Sequence, residues 1–319
     1  MGNPYAEHLT KLHGRWTTPE PLLLKAIRQV TQAAIAARER ITHGEANEVY
    51  ACRFDGAPPL IVRVGRDRGK TMEQERWVIG RCEAQGVAVP HIHWIEHLEH
   101  DGAPLHICVM EKIEGERLLD ASLSRDEIRG VLNALGEWLS QLHAIPVDGF
   151  GYIDGAGKCE AKSYEGTADW FLTLLPEFEA AGAVAGVAAN TLRGWLTFIE
   201  GVMRVVRPSP VLAHNDLSAR HVLVKDGKLA GVIDFGEVSG EPALNEFAKW
   251  DFMEGARFPV RWLKQGYDNA PLFDAGNDVF YRALWLLNGL FLLRWYHISD
   301  YAQGLEDVKV KLLAGPAAN

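Results

Sequence analysis

The feature that most restricts this chain is a pair of aspartates on either side of a β-hairpin signal. His214-Asn215-Asp216-Leu217-Ser218-Ala219-Arg220-His221 is followed by the run Val222-Leu223-Val224 and a turn at Asp226-Gly227. A second run from Leu229 to Ile233 follows, and then Asp234-Phe235-Gly236. Asp-Gly between two such runs predicts a hairpin. A hairpin folds the chain back, so the loop before it and the loop after it can share one end. Asp216 and Asp234 can then face one site, and His221 is far enough along to turn a ring nitrogen back toward a metal. Phosphoryl transfer needs such a set: a carboxylate for the acceptor hydroxyl, ligands for magnesium, and cations or amides on the phosphates.

The rest of the chain changes texture once. Thr18-Pro19-Glu20 predicts a helix start with Thr18 as the cap, and Leu23, Ile27 and Val30 recur at helical spacing up to a limit before Ile41-Thr42-His43-Gly44. Val49, Cys52 and Phe54 precede a turn at Asp55-Gly56, and Leu60 to Val64 is rich in β-branched residues, which predicts a hairpin or meander. Met72 to Gln85 predicts a helix stopped by Gly86, and Val87–Ile95 and Leu105–Met110 predict strands. After Glu114-Gly115 the pattern is mostly helical. Ile128, Val131, Leu132, Leu135, Trp138, Leu139 and Leu142 form one apolar stripe, and Trp170–Phe178 and Leu192–Val206 read as further helices. The expected layout is α+β: a small antiparallel-sheet lobe with a leading helix over 1–114, and a larger helical lobe with the embedded hairpin over 115–319.

Composition narrows the function. A chain of 319 residues that is 47% hydrophobic and 24% charged buries a sizeable core without staples. The net charge of −9 argues against non-specific DNA or RNA binding and suits a cationic small molecule. The four cysteines are scattered with no C-x-x-C pair, which argues against a zinc ribbon and suits buried, reduced thiols. The N-terminus shows no basic region followed by an apolar core, and the apolar stretch Ala283–Leu293 is interrupted by Asn288 and too short for a bilayer. We therefore expect a cytoplasmic protein with no membrane or nucleic-acid partner; a monomer and a dimer both fit.

His-x-Asp-(x4)-Asn/His, a hairpin and Asp-Phe-Gly together resemble the aminoglycoside phosphotransferases, antibiotic-resistance kinases with the two-lobed protein-kinase-like fold. Gly-Glu-Ala-Asn-Glu-Val-Tyr (44–50), Ile-Val-Arg-Val (61–64), Val-Met-Glu-Lys-Ile-Glu-Gly (109–115) and Gly-Phe-Gly (149–151) extend the resemblance over roughly residues 40–295. It implies that Asp216 is the catalytic base, that Asp234 and His221 hold Mg2+, and that His214 is structural. It implies that Arg63 contacts phosphate and pairs with Glu75, with Glu73 as the alternative. Gly44, Glu45, Ala46, Asn47 and Val49 would cover the phosphates of ATP or GTP, the backbone of Glu111 and Ile113 would read the purine, and Val62 and Ile233 would line its slot. Three positions depart from the family's commonest pattern. His221 stands for Asn, as in the gentamicin-modifying and macrolide branches, and Arg63 stands for Lys, as in hygromycin-modifying kinases. Gly240-Glu241-Pro242-Ala243-Leu244-Asn245 replaces Gly-Asp-Pro-x-x-Asp, with Glu246 next in line but unplaced.

The acceptor stays open at this level. Asp251, Glu254, Asp268, Asp274, Asp278 and Asp300 fall where the family binds substrate and suit a polycation, although such residues are also an ordinary surface. The expected reaction is transfer of the γ-phosphate to a hydroxyl of an aminoglycoside-type compound. A metabolic alcohol of the choline or homoserine type, a macrolide, or a silent nucleotide-binding module are the alternatives. His143 and the tryptophans Trp250, Trp262, Trp285 and Trp295 read as packing residues rather than ligands.

Overall fold

Side-chain alternation along five strands organises the first part of the chain. The computed structural model describes residues 13–14, 16–42, 44, 47–67, 69 and 72–316. The strands are β1 (Ile35–Ile41), β2 (Glu48–Phe54), β3 (Leu60–Gly65), β4 (Ile92–His100) and β5 (Ala103–Glu111), in the antiparallel order β1-β2-β3-β5-β4. Helix α1 (Glu20–Arg28) sends Leu23, Ala26 and Ile27 into a core with Tyr50, Cys52, Val62, Val64, Ile107 and Val109. Helix α2 (Glu73–Ala84) follows β3.

Two expectations for the leading segment are corrected. Helix α1 ends at Arg28, and the stretch expected to continue it contains strand β1, whose Ile35–Ile41 pair with β2. Its Ala, Arg and Glu are poor strand formers in isolation, and pairing to β2 overrides that preference. Thr18 does not cap the helix. It is buried, Pro19 takes the N-cap position, and Thr18 Oγ1 donates to Glu48 Oε2 at 2.7 Å. Glu48 is fully buried and needs such partners: Arg66 Nη2 lies 2.7 Å from Oε2 and the Tyr50 hydroxyl donates to Oε1.

The chain divides into two compact units. One is Met1–Gly115 with Asp154–Ala156 and Ala230–Gly236; the other is Glu116–Ile153 with Gly157–Leu229 and Glu237–Asn319. In the second unit, helix α3 (Arg125–His143) starts with a capping box in which Ser124 Oγ accepts from Glu127 N and Glu127 accepts from Ser124 N at 2.8 Å. Of the expected stripe, Val131, Leu132, Leu135, Trp138, Leu139 and Leu142 are buried and Ile128 is half-buried. Strands β7 (Phe150–Ile153), β8 (Cys159–Ala161), β9 (Pro210–Ala213) and β12 (Ser239–Pro242) form a sheet ordered β8-β7-β12-β9. Strand β6 (Glu116–Arg117) pairs antiparallel with β10 (Val222–Lys225), and β11 (Lys228–Val232) is the next strand of that sheet. Its last three residues, Ala230–Val232, carry the chain into the first unit.

The helical remainder comprises α4 (Tyr164–Thr173), α5 (Leu175–Val184), α6 (Ala189–Val205), α7 (Ala243–Glu254), α8 (Val260–Gly266), α9 (Asp278–Ile298) and α10 (Ala302–Ala314). Trp250, Trp262 and Trp285 are buried, whereas Trp295 is exposed. His143 is buried with its Nδ1 at 2.8 Å from the Tyr267 hydroxyl, and burial lowers its pKa to about 3, so it is a neutral packing residue. All four cysteines are buried and unbridged. No helix among the described residues is long and apolar enough to cross a membrane.

Candidate active site

In the first unit the two faces of β3 do different work. Antiparallel partners share a face, so Val49, Arg63 and Cys108 stand together, as do Ala51, Ile61 and Met110. The opposite face carries Val62 and Val64 into the core beneath α1. Val62 is fully buried there, and a period of two puts Ile61, not Val62, on the Arg63 face.

Arg63 Nη1 lies 2.6 Å from Glu75 Oε2, and Arg63 Nη2 lies 3.5 Å from Asp234 Oδ1. Burial alone would lower the guanidinium pKa; the carboxylates of Glu75 and Asp234 more than offset it, so the charge is held firmly. Glu73 points elsewhere, with its Oε1 2.8 Å from His97 Nε2. Helix α2 also fixes the turn that carries Asp234, because Gln74 Nε2 donates to the Gly236 carbonyl at 2.5 Å. Asp234 sits at φ +71, in the left-handed region, with its side chain 45% exposed, while the neighbouring Phe235 is fully buried. The buried ring anchors the turn and the strained backbone turns the carboxylate outward.

The remaining first-unit candidates are placed as follows. Gly44 is exposed and its carbonyl is 2.8 Å from His13 Nε2; Glu45 and Ala46 lie outside the described residues. Asn47 packs against the end of β3, where a Cβ on Gly65 would come within 3.1 Å of Asn47 Oδ1. The Glu111 amide donates to the His91 carbonyl at 2.8 Å and the Lys112 amide to Pro59 at 3.3 Å. The Ile113 side chain lies over Gly231, where a Cβ would meet Ile113 Cδ1 at 2.7 Å. Ile233 is half-buried, two residues beyond that glycine.

In the second unit, His214 is fully buried and its Nδ1 accepts from the Asp216 amide at 3.3 Å, which puts the ring proton on Nε2. His221 has the opposite arrangement. Its Nδ1 is 2.7 Å from the Asp216 carbonyl and must donate to it, which leaves Nε2 as the acceptor nitrogen of the ring. The same Nδ1 is 3.5 Å from Asp216 Oδ2, so base candidate and ring are adjacent. Asn215 takes a left-handed backbone at φ +58. Glu246, unplaced from sequence, is buried on α7 and its Oε1 accepts from the Asn215 amide at 2.7 Å. Burial and the nearby Asp216 push its pKa up to about 7, against the Asn215 amide and Lys249. Glu241 is also pushed up to about 7, by burial and by Glu246, with Lys249 acting the other way. The Tyr152 hydroxyl donates to Glu237, and burial, Glu237, Glu160 and Asp216 raise the phenol pKa.

The family model described as "Phosphotransferase enzyme family" matches residues 37–266. This chain belongs to the phosphotransferase enzyme family. Among solved structures, this family member is similar to a thermostable mutant of aminoglycoside phosphotransferase APH(4)-Ia in ternary complex with ADP and hygromycin B. That match has a TM-score of 0.76 at 17% identity, covering 93% of this chain and 97% of that one. It is also similar to APH(2")-IIIa in complex with GDP and kanamycin, with a TM-score of 0.69 at 16% identity, covering 93% of this chain and 98% of that one. A third is the gentamicin complex of APH(2")-IIa, at 0.61 and 16%. At these identities the likeness is one of fold.

Two carboxylates of this phosphotransferase-family chain that were grouped with the acceptor region are engaged internally. Asp251 Oδ2 accepts from the Tyr281 hydroxyl at 3.1 Å, and Glu254 Oε1 accepts from the Ala219 amide at 3.1 Å. Asp268, Asp274, Asp278 and Asp300 are exposed. Lys249 and Tyr152 were missed. The signal for Lys249 was its spacing from Glu246 on the helix after Gly240-Glu241-Pro242; Tyr152 carried none beyond following Gly149-Phe150-Gly151.

Proposed function

We propose that this protein is a small-molecule kinase that moves the γ-phosphate of ATP or GTP to a hydroxyl of an aminoglycoside-type compound. The observation that carries the reading is Arg63 held between Glu75 and Asp234, with the Asp234 carboxylate half-exposed beside a fixed cation. A guanidinium locked by two carboxylates is a ready partner for phosphate oxygens.

In this reading Arg63 and the 44–49 loop hold the phosphates, and the Ile113 amide and the Glu111 backbone meet the purine over Ile61 and Ile233. Asp216 accepts the proton of the acceptor hydroxyl as that oxygen attacks the γ-phosphate in line. Asp234 offers an exposed carboxylate, the oxygen donor that magnesium prefers, and in this reading is its main ligand, with His221 Nε2, the acceptor nitrogen of that ring, as the second donor. Bound there, magnesium would neutralise charge on the phosphate oxygens. Exposed Asp268, Asp274 and Asp278 support a cationic acceptor, as do the relatives' complexes with hygromycin B, gentamicin and kanamycin.

The test is phosphate transfer from ATP and from GTP across aminoglycosides, hygromycin, macrolides and small metabolic alcohols, with Asp216→Asn as the control. Transfer to one compound, lost in the variant, is the expected result. Nucleotide binding without transfer to any acceptor would favour a silent module instead.

A further inference from the structure

The 214–221 segment is held in an unusual way. Asn215 sits at φ +58, in the left-handed region that asparagine tolerates better than most non-glycine residues. Both polar groups of its backbone are taken by one helix. Its amide donates to Glu246 Oε1 at 2.7 Å, and its carbonyl accepts from Lys249 Nζ. Farther along the segment, the Ala219 amide donates to Glu254 Oε1 at 3.1 Å, also on α7. At about 100° per residue, positions 246, 249 and 254 fall within an arc of about 140° on the helix. A single face of α7 therefore grips the segment before and after Asp216.

The chemistry suits backbone rather than ligand recognition. A buried carboxylate accepts from an N–H, and an ammonium group three residues later donates to the C=O of the same residue, so charge and hydrogen-bond polarity are both matched. Neither contact reads a side chain, so the grip acts on the direction of the chain at residue 215.

We propose that Glu246, Lys249 and Glu254 are positioning residues: one face of α7 fixes the backbone of the 214–221 segment and so sets the direction in which Asp216 points. The role rests on the reading of Asp216 as the base. It removes Glu254 from the carboxylates available to a cationic acceptor.

The test compares the full chain with Glu246→Leu, Glu246→Gln, Lys249→Met and Asp216→Asn. Amide hydrogen exchange is followed in peptides covering residues 210–222, alongside kcat and KM for hydrolysis of magnesium-bound ATP and GTP in the absence of acceptor. Melting curves establish that each variant is folded. We expect faster exchange in that segment for Glu246→Leu and Lys249→Met, with kcat for Glu246→Leu reduced on the order of 10²-fold and nucleotide KM unchanged. Glu246→Gln, whose amide oxygen still accepts from an N–H, restores slow exchange and most of kcat. Wild-type exchange and kcat in both Glu246→Leu and Lys249→Met would overturn the proposal; should Glu246→Leu not fold, Lys249→Met decides. Full turnover in Asp216→Asn would instead overturn the base assignment, while the exchange data still decide whether α7 holds the loop.

Discussion

Arg63 and Asn215 are both held on two sides, but by different means. Arg63 is held by side chains, Glu75 at 2.6 Å and Asp234 at 3.5 Å, in an ion network whose members come from a strand, a helix and a turn. Asn215 is held through its backbone by Glu246 and Lys249 of one helix. The first arrangement places a charge and can be altered by changing one residue. The second places a chain direction, and almost any side chain compatible with the left-handed backbone could stand at the held position.

The largest effect expected is at the residue that the second arrangement aims. Asp216→Asn should lower transfer by about 10²–10⁴-fold with nucleotide affinity intact, as read by single-turnover phosphate transfer and nucleotide titration. Breaking the first arrangement should act differently. Glu75→Leu leaves Arg63 buried with one distant carboxylate, so unfolding free energy should fall by about 3–5 kcal/mol in denaturant titration, and nucleotide KM should rise. If nucleotide KM is unchanged while stability falls, the Arg63 network is structural only.

The two faces of β3 offer a smaller, sharper test. Val62→Ala should cost about 2 kcal/mol of stability and leave nucleotide KM alone, because its side chain is in the core beneath α1. Ile61→Ala, on the Arg63 face, should raise nucleotide KM with little loss of stability. The reverse pattern would exchange the two assignments.

The last effect expected is in pH dependence. Glu241 ionises near 4.5 when unfolded and near about 7 in the fold. Its proton stabilises the folded chain fully below 4.5, and that stabilisation is lost as pH rises to about 7. His143 has the opposite sign: its pKa falls from 6.5 to about 3, so its contribution is complete above 6.5 and lost toward acid. Subtracting the melting temperatures of Glu241→Gln from those of the wild type between pH 5 and 8 cancels the histidine. The difference should decline with rising pH, and a flat difference would remove Glu241 as the cause.

Local signals carried much of this architecture. The Asp226-Gly227 hairpin, the stripe on α3 and the switch from strands to helices follow from periodicity and turn chemistry, which act over a few residues. Strand β1 was hidden because its Ala, Arg and Glu favour helix until β2 pairs with them. Val62, expected beside the purine, lies on the strand face opposite Arg63, a distinction that the run Leu60–Val64 does not carry on its own. Thr18 looked like a cap because no local rule reveals that the distant Glu48 needs its hydroxyl. Glu246 stayed unplaced, Lys249 unread and Glu254 grouped with the acceptor carboxylates for a related reason: their partners are peptide groups, which leave no mark on the identity of the residues they belong to.

The four buried cysteines have a practical consequence. Burial raises the thiol pKa at each, to about 12 at Cys82 and Cys108, so thiolate is scarce and shielded at neutral pH. A cysteine introduced on the surface would therefore take a maleimide label almost alone. The native chain is a ready host for single-site fluorophores or spin labels, with no need to replace its own thiols first.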